Sequence, residues 1–254
     1  MTPGGDGRAD VGVLGGSGFY QFLDHVTEVE IDTPFGSPSA AVAIGRLGAA
    51  RVAFLPRHGR RHDTPPHRVN YRANVWAMRE LGVGAIVGSF AAGSLRPDIH
   101  PGEFVVVDQL VDRTWGRPDT FFDGPEVRHV SFADPYDERL RRVLIDAGRA
   151  EGITVHDRGT VVVIAGPRFA TRAESRWYQA QGWEVISMTQ YPEAVLPKEL
   201  EIPYAAVALI TDYDTGVEGV DEIGPVTMDA VLEVMARNVD TVRRLLVAAV
   251  PRIA

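Results

Sequence analysis

The fold class predicted is α/β, with a mostly parallel sheet layered between helices. Short β-branched runs alternate with longer segments of helical spacing along most of the chain. Several of the runs are apolar throughout, as strands covered on both faces are. No internal repeat and no low-complexity linker interrupts the alternation, so one domain is expected from residue 11 to residue 254, behind a flexible N-terminus over 1–10.

The strands are expected at 11–14, 51–55, 85–91, 104–111, 160–166, 184–188 and 204–211. Helical spacing fills 69–82, 136–152, 172–182, 189–201 and 226–250. The last is the clearest, because Met228, Val231, Leu232, Met235, Val239, Val242 and Leu246 recur every three or four residues. The longest irregular stretch, about 112–135, is rich in Asp, Pro, Gly and aromatics and reads as a functional or interface loop. Loops that follow strands are where such folds hold ligands.

Composition narrows the chemistry. Asp and Glu outnumber Lys and Arg by 34 to 26, a net charge of −8, which argues against nucleic acid or an acidic membrane as partner. An anionic ligand must then be held by local positive groups. The absence of cysteine excludes disulfides, Cys-ligated zinc and a thiol nucleophile. MTPGGDGRAD at the start lacks the apolar core of a secretory signal, and no run reaches the roughly 18 apolar residues of a membrane span. A cytoplasmic protein is expected.

Five segments carry candidate chemistry. VGVLGGSGF (11–19) runs a strand into Gly15, Gly16, Ser17 and Gly18, where glycines let backbone N–H groups approach an anion and the serine hydroxyl adds a donor. It matches neither the dinucleotide fingerprint nor the P-loop, and an ordinary glycine turn reads equally well. LPRHGRRH (55–62) sets His58 and His62 four apart among Arg57, Arg60 and Arg61. Those charges repel a cation, so no metal site is expected there, and the Arg fork with the His58 imidazole suits phosphate, the alternative being a solvated basic loop. SFAAGSL (89–95) ends a buried strand in small residues, which brings the backbone amide of Ala91 against a ligand or simply makes a tight turn. GPRFATRAE (166–174) and SMTQYPE (187–193) each join a strand to a helix; Phe169 and Met188 are placed to sandwich a flat ring or to pack in the core, and Thr189 to cap a helix or hold an anion. Finally, ALITDYDTG closes an apolar strand with Asp212 and Asp214, which alternation points to one side; by spacing alone this pair reads as metal ligands, a cap or a turn.

Taken together and in this order, these segments resemble the trimeric purine nucleoside phosphorylase family, most closely its methylthioadenosine branch. DTPFGSPS (32–39), VNYRANVWA (69–77), AAGSLR (91–96) and PGEFVVVDQLVDRT (101–114) extend the resemblance from about Val11 to Ile253. The resemblance implies a single-domain three-layer α/β fold with a mixed, mostly parallel sheet, and a homotrimer or a dimer of trimers. It also implies reversible phosphorolysis of a purine nucleoside with inorganic phosphate as co-substrate and no cofactor. Phosphate then falls on Ser17, Arg57, His58, the Ala91 backbone and Thr189. Ribose and base lie against Phe169 and Met188, and Asp212 and Asp214 are the catalytic pair, Asp212 at N7 and Asp214 at the 6-amino group.

Base and 5′ specificity follow in the same way. Where 6-oxopurine enzymes of the family carry a glutamate and an asparagine, this chain has Ala170 and Asp212. Ala170 cannot accept from N1–H and an ionised aspartate cannot donate to O6, which favours adenine. Met228, Val231 and Leu232 stand where the methylthioadenosine branch is apolar, and His129 resembles the residue that a neighbouring subunit lends to the 5′ pocket. Phe90 replaces a usual threonine before Ala91, Gln190 and Tyr191 replace small or β-branched residues, and the chain ends soon after Pro251. The alternatives are a 6-oxopurine or methylthioinosine phosphorylase, a phosphorylase of another 5′-substituted adenosine, a nucleosidase using water, and a non-catalytic nucleoside-binding module.

Overall fold

The computed structural model describes residues 8–16, 23–215, 217 and 224–254. A single sheet of 11 strands runs through it, mixed but with its central pairings parallel. Its spine is β1 (Val11–Gly15), β4 (Ala50–Pro56), β5 (Ala85–Ser94) and β11 (Tyr204–Tyr213). On one side β4 continues antiparallel into β3 (Val42–Leu47) and β2 (Asp24–Val29). On the other lie β10 (Val185–Ser187), β9 (Thr160–Ile164) and β7 (Gln109–Arg113). β6 (Phe104–Val106) and β8 (Val155–His156) branch from β11.

Helices cover both faces, giving the three layers. The α1 helix (Tyr71–Glu80), started by the Asn70 side chain accepting from the Ala73 N–H, buries Tyr71, Val75 and Met78 against Leu14, Leu55 and Ile86. The opposite face belongs to α2 (Glu138–Ala150), capped by Asp137, and α6 (Met228–Ala249), capped by Thr227. Leu140, Leu144, Leu245 and Leu246 of these helices meet Val11, Val13, Phe54 and Val87. The short α3 (Arg172–Ala180), α4 (Gln190–Glu193) and α5 (Val195–Glu199) complete the set.

β5 is the hub that positions the site. One edge pairs with β11 along nearly its whole length, from Ile86 to Ser94. The other edge pairs with β1 only as far as Gly88, and with β10 only at Gly93 and Ser94. Between them, residues 89–92 have no strand partner on that edge, so their backbone groups are left for side chains or a ligand.

Several expectations are corrected here. The run 104–111 is two strands, because Asp108 turns aside to pair with Gly159 through both its backbone and its carboxylate. The helix expected over 189–201 is α4 and α5, which meet at Ala194, and α4 is itself irregular at Tyr191, whose backbone is non-helical just before Pro192. β2, β3 and β8 were not expected; β2 is exposed along nearly its whole length and so carries no apolar signal.

Candidate active site

A cavity of about 360 Å³ opens where β1, β5, β10 and β11 end, walled by Gly16, residues 89–93, residues 187–189, Asp212 and Asp214. Of the residues expected in a site, it gathers Arg57, His58, Ala91, Thr189, Phe169, Met188, Asp212, Asp214, Met228 and Val231. Ser17 lies outside the described residues. Leu232, 44% exposed, and His129, exposed in the irregular loop, do not line it.

Arg57 follows β4 and is fully buried. Its guanidinium is bound by Glu193 through Nε and through Nη2 at 2.6 Å, and it donates to the carbonyls of Ser89 and Leu14, each at 3.1 Å. The Ser89 carbonyl is one of the groups that the gap in β5 leaves unpaired. Burial opposes the guanidinium's charge most strongly, but the Glu193 charge and hydrogen bond, with smaller contributions from Tyr204 and Tyr71, together outweigh it and the pKa rises. Glu193 is held in turn by the Tyr204 hydroxyl at 2.8 Å. The sequence suggested an arginine fork open to an anion; the structure gives an arginine whose donors are largely used, neutralised from behind.

His58 also departs from its expected role as a donor. Its Nδ1 lies 2.8 Å from the Thr64 carbonyl, which only accepts, so the ring proton sits on Nδ1. Burial first, then the Arg57 charge, push the imidazole down to about 4. At neutral pH the ring is uncharged and Nε2 is an acceptor. The His62 ring rests against it with centroids 4.6 Å apart. Thr189 is buried in the same wall and makes no side-chain cap bond to α4, although it occupies the N-cap position.

The acidic pair sits at the end of β11. A bulge between Ile210 and Asp212 shifts the register, so that Asp212 pairs with Gly93 and the Asp214 N–H donates to the Ser94 carbonyl. The Thr211 hydroxyl donates to Asp212 Oδ2 at 2.8 Å. Burial pushes the Asp212 carboxyl up. Burial also raises Asp214, to about 6; the Ser175 hydroxyl opposes this and the Asp212 charge adds to it. Ser89 and Gly93 mark the anion side and the acid side of the cavity; four residues apart on one strand, they stand ~13 Å from each other.

The aromatic wall is tied down locally. Thr171 and Glu174 form a capping box at the start of α3, and Arg168 grips Glu174 at 2.7 and 2.8 Å while donating to the Phe169 carbonyl. The Arg168 hydrogen bond is the main reason that the Glu174 carboxyl falls to about 2.

Arg117, which no motif singled out, reaches in from the irregular loop. It donates to the carbonyls of Met188 and Ala165, each at 2.9 Å, and of Tyr191. The Met188 carbonyl is thereby held by Arg117, and in a planar trans peptide the Thr189 N–H points the opposite way from it. Glu193 was missed as well, since its partner Arg57 is 136 residues away in sequence. An arginine among the aromatics of 112–135, and an acid following Pro192, are the only signals that point to them.

Comparison with known proteins fits this geometry. The sequence profile of the Phosphorylase superfamily matches residues 10–251. A purine nucleoside phosphorylase of Streptomyces coelicolor is 51% identical, over 96% of this chain and 90% of its own. An S-methyl-5′-thioadenosine phosphorylase of Mycolicibacterium smegmatis is 55% identical over 82% of this chain and 78% of its own. The structure of a methylthioadenosine phosphorylase from Schistosoma mansoni in complex with adenine superposes with a TM-score of 0.90 at 38% identity, covering 97% of this chain and 92% of that one. The chain belongs to the phosphorylase superfamily.

Proposed function

We propose that this enzyme cleaves the N-glycosidic bond of 5′-methylthioadenosine with inorganic phosphate, giving adenine and 5-methylthioribose 1-phosphate. The observation that carries this reading is the Asp212–Asp214 pair, with both carboxyls raised, in the same cavity as Arg57, His58 and Thr189. The span between them along β5 leaves room for an anion, a sugar and a base in line.

In the reaction, a phosphate oxygen bonds to the anomeric carbon as the bond to N9 breaks, and the electrons left on the purine are met by a proton at N7. Holding the phosphate in line supplies effective concentration. Arg57, His58, Thr189, the Ala91 amide and Ser17 form its site. Two close carboxyls that share one proton offer one donor and one acceptor. Adenine needs that combination, a donor for N7 from Asp212 and an acceptor for the 6-amino group from Asp214. A 6-oxopurine presents acceptors at both N7 and O6, and Ala170 gives its N1–H no partner. Phe169 and Met188 lie against base and sugar, and Met228 and Val231 supply an apolar 5′ pocket.

The same reading includes a cytoplasmic homotrimer, one nucleoside phosphorylase domain from residue 11 onward, phosphate as co-substrate and no metal or cofactor. Among the described residues no helix is long and apolar enough to cross a membrane. Leu232 and His129 are exposed in the single chain, which suits residues that close the 5′ end only across a subunit boundary.

A purine nucleoside phosphorylase acting on 6-oxopurines is the second reading, favoured by the Streptomyces coelicolor relative at 51% identity. Parallel assays of methylthioadenosine, methylthioinosine, adenosine and inosine separate the two. The acidic pair and the apolar 5′ wall predict the highest kcat/KM for methylthioadenosine, and preference for either inosine would transfer the assignment to the second reading.

A further inference from the structure

We propose that Tyr204 is a positioning residue for the reaction: its hydroxyl fixes the Glu193 carboxylate and thereby decides which N–H of Arg57 is turned to the cavity. The proposal rests on the phosphorylase reading for what that N–H does.

A guanidinium carries five N–H donors in one rigid plane. In Arg57 four of them are taken among the described residues: Nε by Glu193, one on Nη2 by Glu193 at 2.6 Å and the other by the Leu14 carbonyl at 3.1 Å, and one on Nη1 by the Ser89 carbonyl at 3.1 Å. The fifth, on Nη1, remains. Because the plane is rigid, the angle at which Glu193 grips its edge sets the direction of that last donor. Whatever holds Glu193 therefore aims Arg57.

Tyr204 is that holder. Its hydroxyl lies 2.8 Å from Glu193 Oε1 and 3.3 Å from Gln190 Oε1, and its single proton goes to the nearer, charged oxygen. Burial first, then the Glu193 charge, push the phenol well above the ordinary tyrosine range, so the proton stays in place. The Tyr136 ring, stacked on Tyr204 with centroids 6.0 Å apart, holds it from the side. A Cβ at residue 88 would lie 2.2 Å from the Tyr204 hydroxyl and 3.1 Å from Glu193 Oε1, so Gly88 gives the pair its room. Glu193, Tyr204, Gln190 and Tyr136 are all buried, and none of them lines the cavity. Their route to it is Arg57.

Tyr204→Phe removes the hydroxyl and keeps the ring, while Tyr136→Phe removes a buried hydroxyl of the same kind that reaches Gln190 at 3.2 Å instead of Glu193. A structural role alone predicts the same result for both. In full-chain kinetics with methylthioadenosine, Tyr204→Phe should raise the KM for phosphate at least about tenfold, the loss of one hydrogen bond to a charged group, with kcat within about threefold. Tyr136→Phe should leave both near the wild type. Exchange of the Arg57 Nε–H with water, read by nitrogen-15 NMR in the absence of any ligand, should quicken about tenfold in Tyr204→Phe alone, with thermal melts confirming both folds. Unaltered exchange in a folded Tyr204→Phe protein, a phosphate KM within about threefold of the wild type, or equal effects of the two substitutions would each overturn the proposal. Adenine release that ignores phosphate in the wild type would overturn the phosphorylase reading, and the exchange rates would still decide whether Tyr204 holds Arg57.

Discussion

Gly93 and Asp212 face each other across β5 and β11 so closely that a methyl group on Gly93 would lie 2.9 Å from Asp212 Oδ1 and 3.5 Å from the Asp214 Cβ. The glycine therefore leaves the Asp212 carboxylate its place at this end of the cavity, while Asp214 would be met only at ordinary contact distance. Gly93→Ala displaces the Asp212 carboxylate, the flexible partner in that contact. A misplacement on the scale of an ångström predicts a loss of about 100-fold in kcat/KM for the nucleoside. Steady-state kinetics beside a thermal melt checks this; a large drop in melting temperature with normal kinetics would place the role of Gly93 in folding.

Asp212→Asn removes the carboxyl assigned to N7 and leaves a neutral amide of the same shape. Loss of a positioned acid predicts a fall of about 10²-fold or more in turnover of the adenine nucleoside. Because the new amide can donate to O6, the ratio of 6-oxopurine to adenine turnover should rise. Paired kcat/KM values for methylthioadenosine and methylthioinosine read both effects.

Asp214 is held neutral by its surroundings up to a pH of about 6, above the usual carboxylate range. A carboxyl with a raised folded-state pKa favours the fold below its unfolded value, and that contribution is lost as pH rises from about 4 through about 6. Asp214→Asn abolishes the ionisation, so it should stabilise the protein at pH 8 by roughly 3 kcal/mol. The advantage should disappear at pH 4. Urea unfolding of both proteins at the two pH values tests the sign.

Glu193→Gln leaves the buried Arg57 charge without its counterion. Removing one partner of a buried pair predicts a loss of about 3 to 5 kcal/mol, far more than an exposed pair such as Arg61 and Asp63 supplies. Denaturant midpoints for Glu193→Gln and Asp63→Asn, compared in one series, show whether the difference in burial sets the cost.

Arg117→Gln frees the carbonyls of Met188, Ala165 and Tyr191 without touching the cavity itself. If its role is to orient the peptide between Met188 and Thr189, the KM for phosphate should rise about tenfold while kcat changes less, since one charge-assisted bond no longer fixes the donor. A kcat loss with unaltered KM would contradict that role.

Much of this arrangement is legible in the sequence, for identifiable reasons. The apolar runs of β5 and β11 read as covered strands, and Gly16, Gly93, Arg57, His58, Asp212 and Asp214, which end or follow strands, line the cavity. What the sequence hides is pairing over distance. Nothing in ALITDYDTG announces the bulge after Ile210, and alternation alone makes Asp212 and Asp214 a pair without saying what faces them. The strand β2 is invisible because its side chains meet solvent. The periodic stripe of α6 misleads in the other direction: Met228, Leu232 and Val239 are spaced as core residues, yet each is more than 40% exposed in the single chain. His58 shows the limit most clearly, since residue type marks it for the anion site while only the Thr64 carbonyl decides which nitrogen holds the proton.

The most direct test of the central claim is to follow methylthioadenosine with and without inorganic phosphate and to identify the sugar product by phosphorus NMR. The account predicts adenine release that depends on phosphate and one equivalent of 5-methylthioribose 1-phosphate for each adenine formed. Adenine released at the same rate without phosphate, with free methylthioribose as the product, would contradict it.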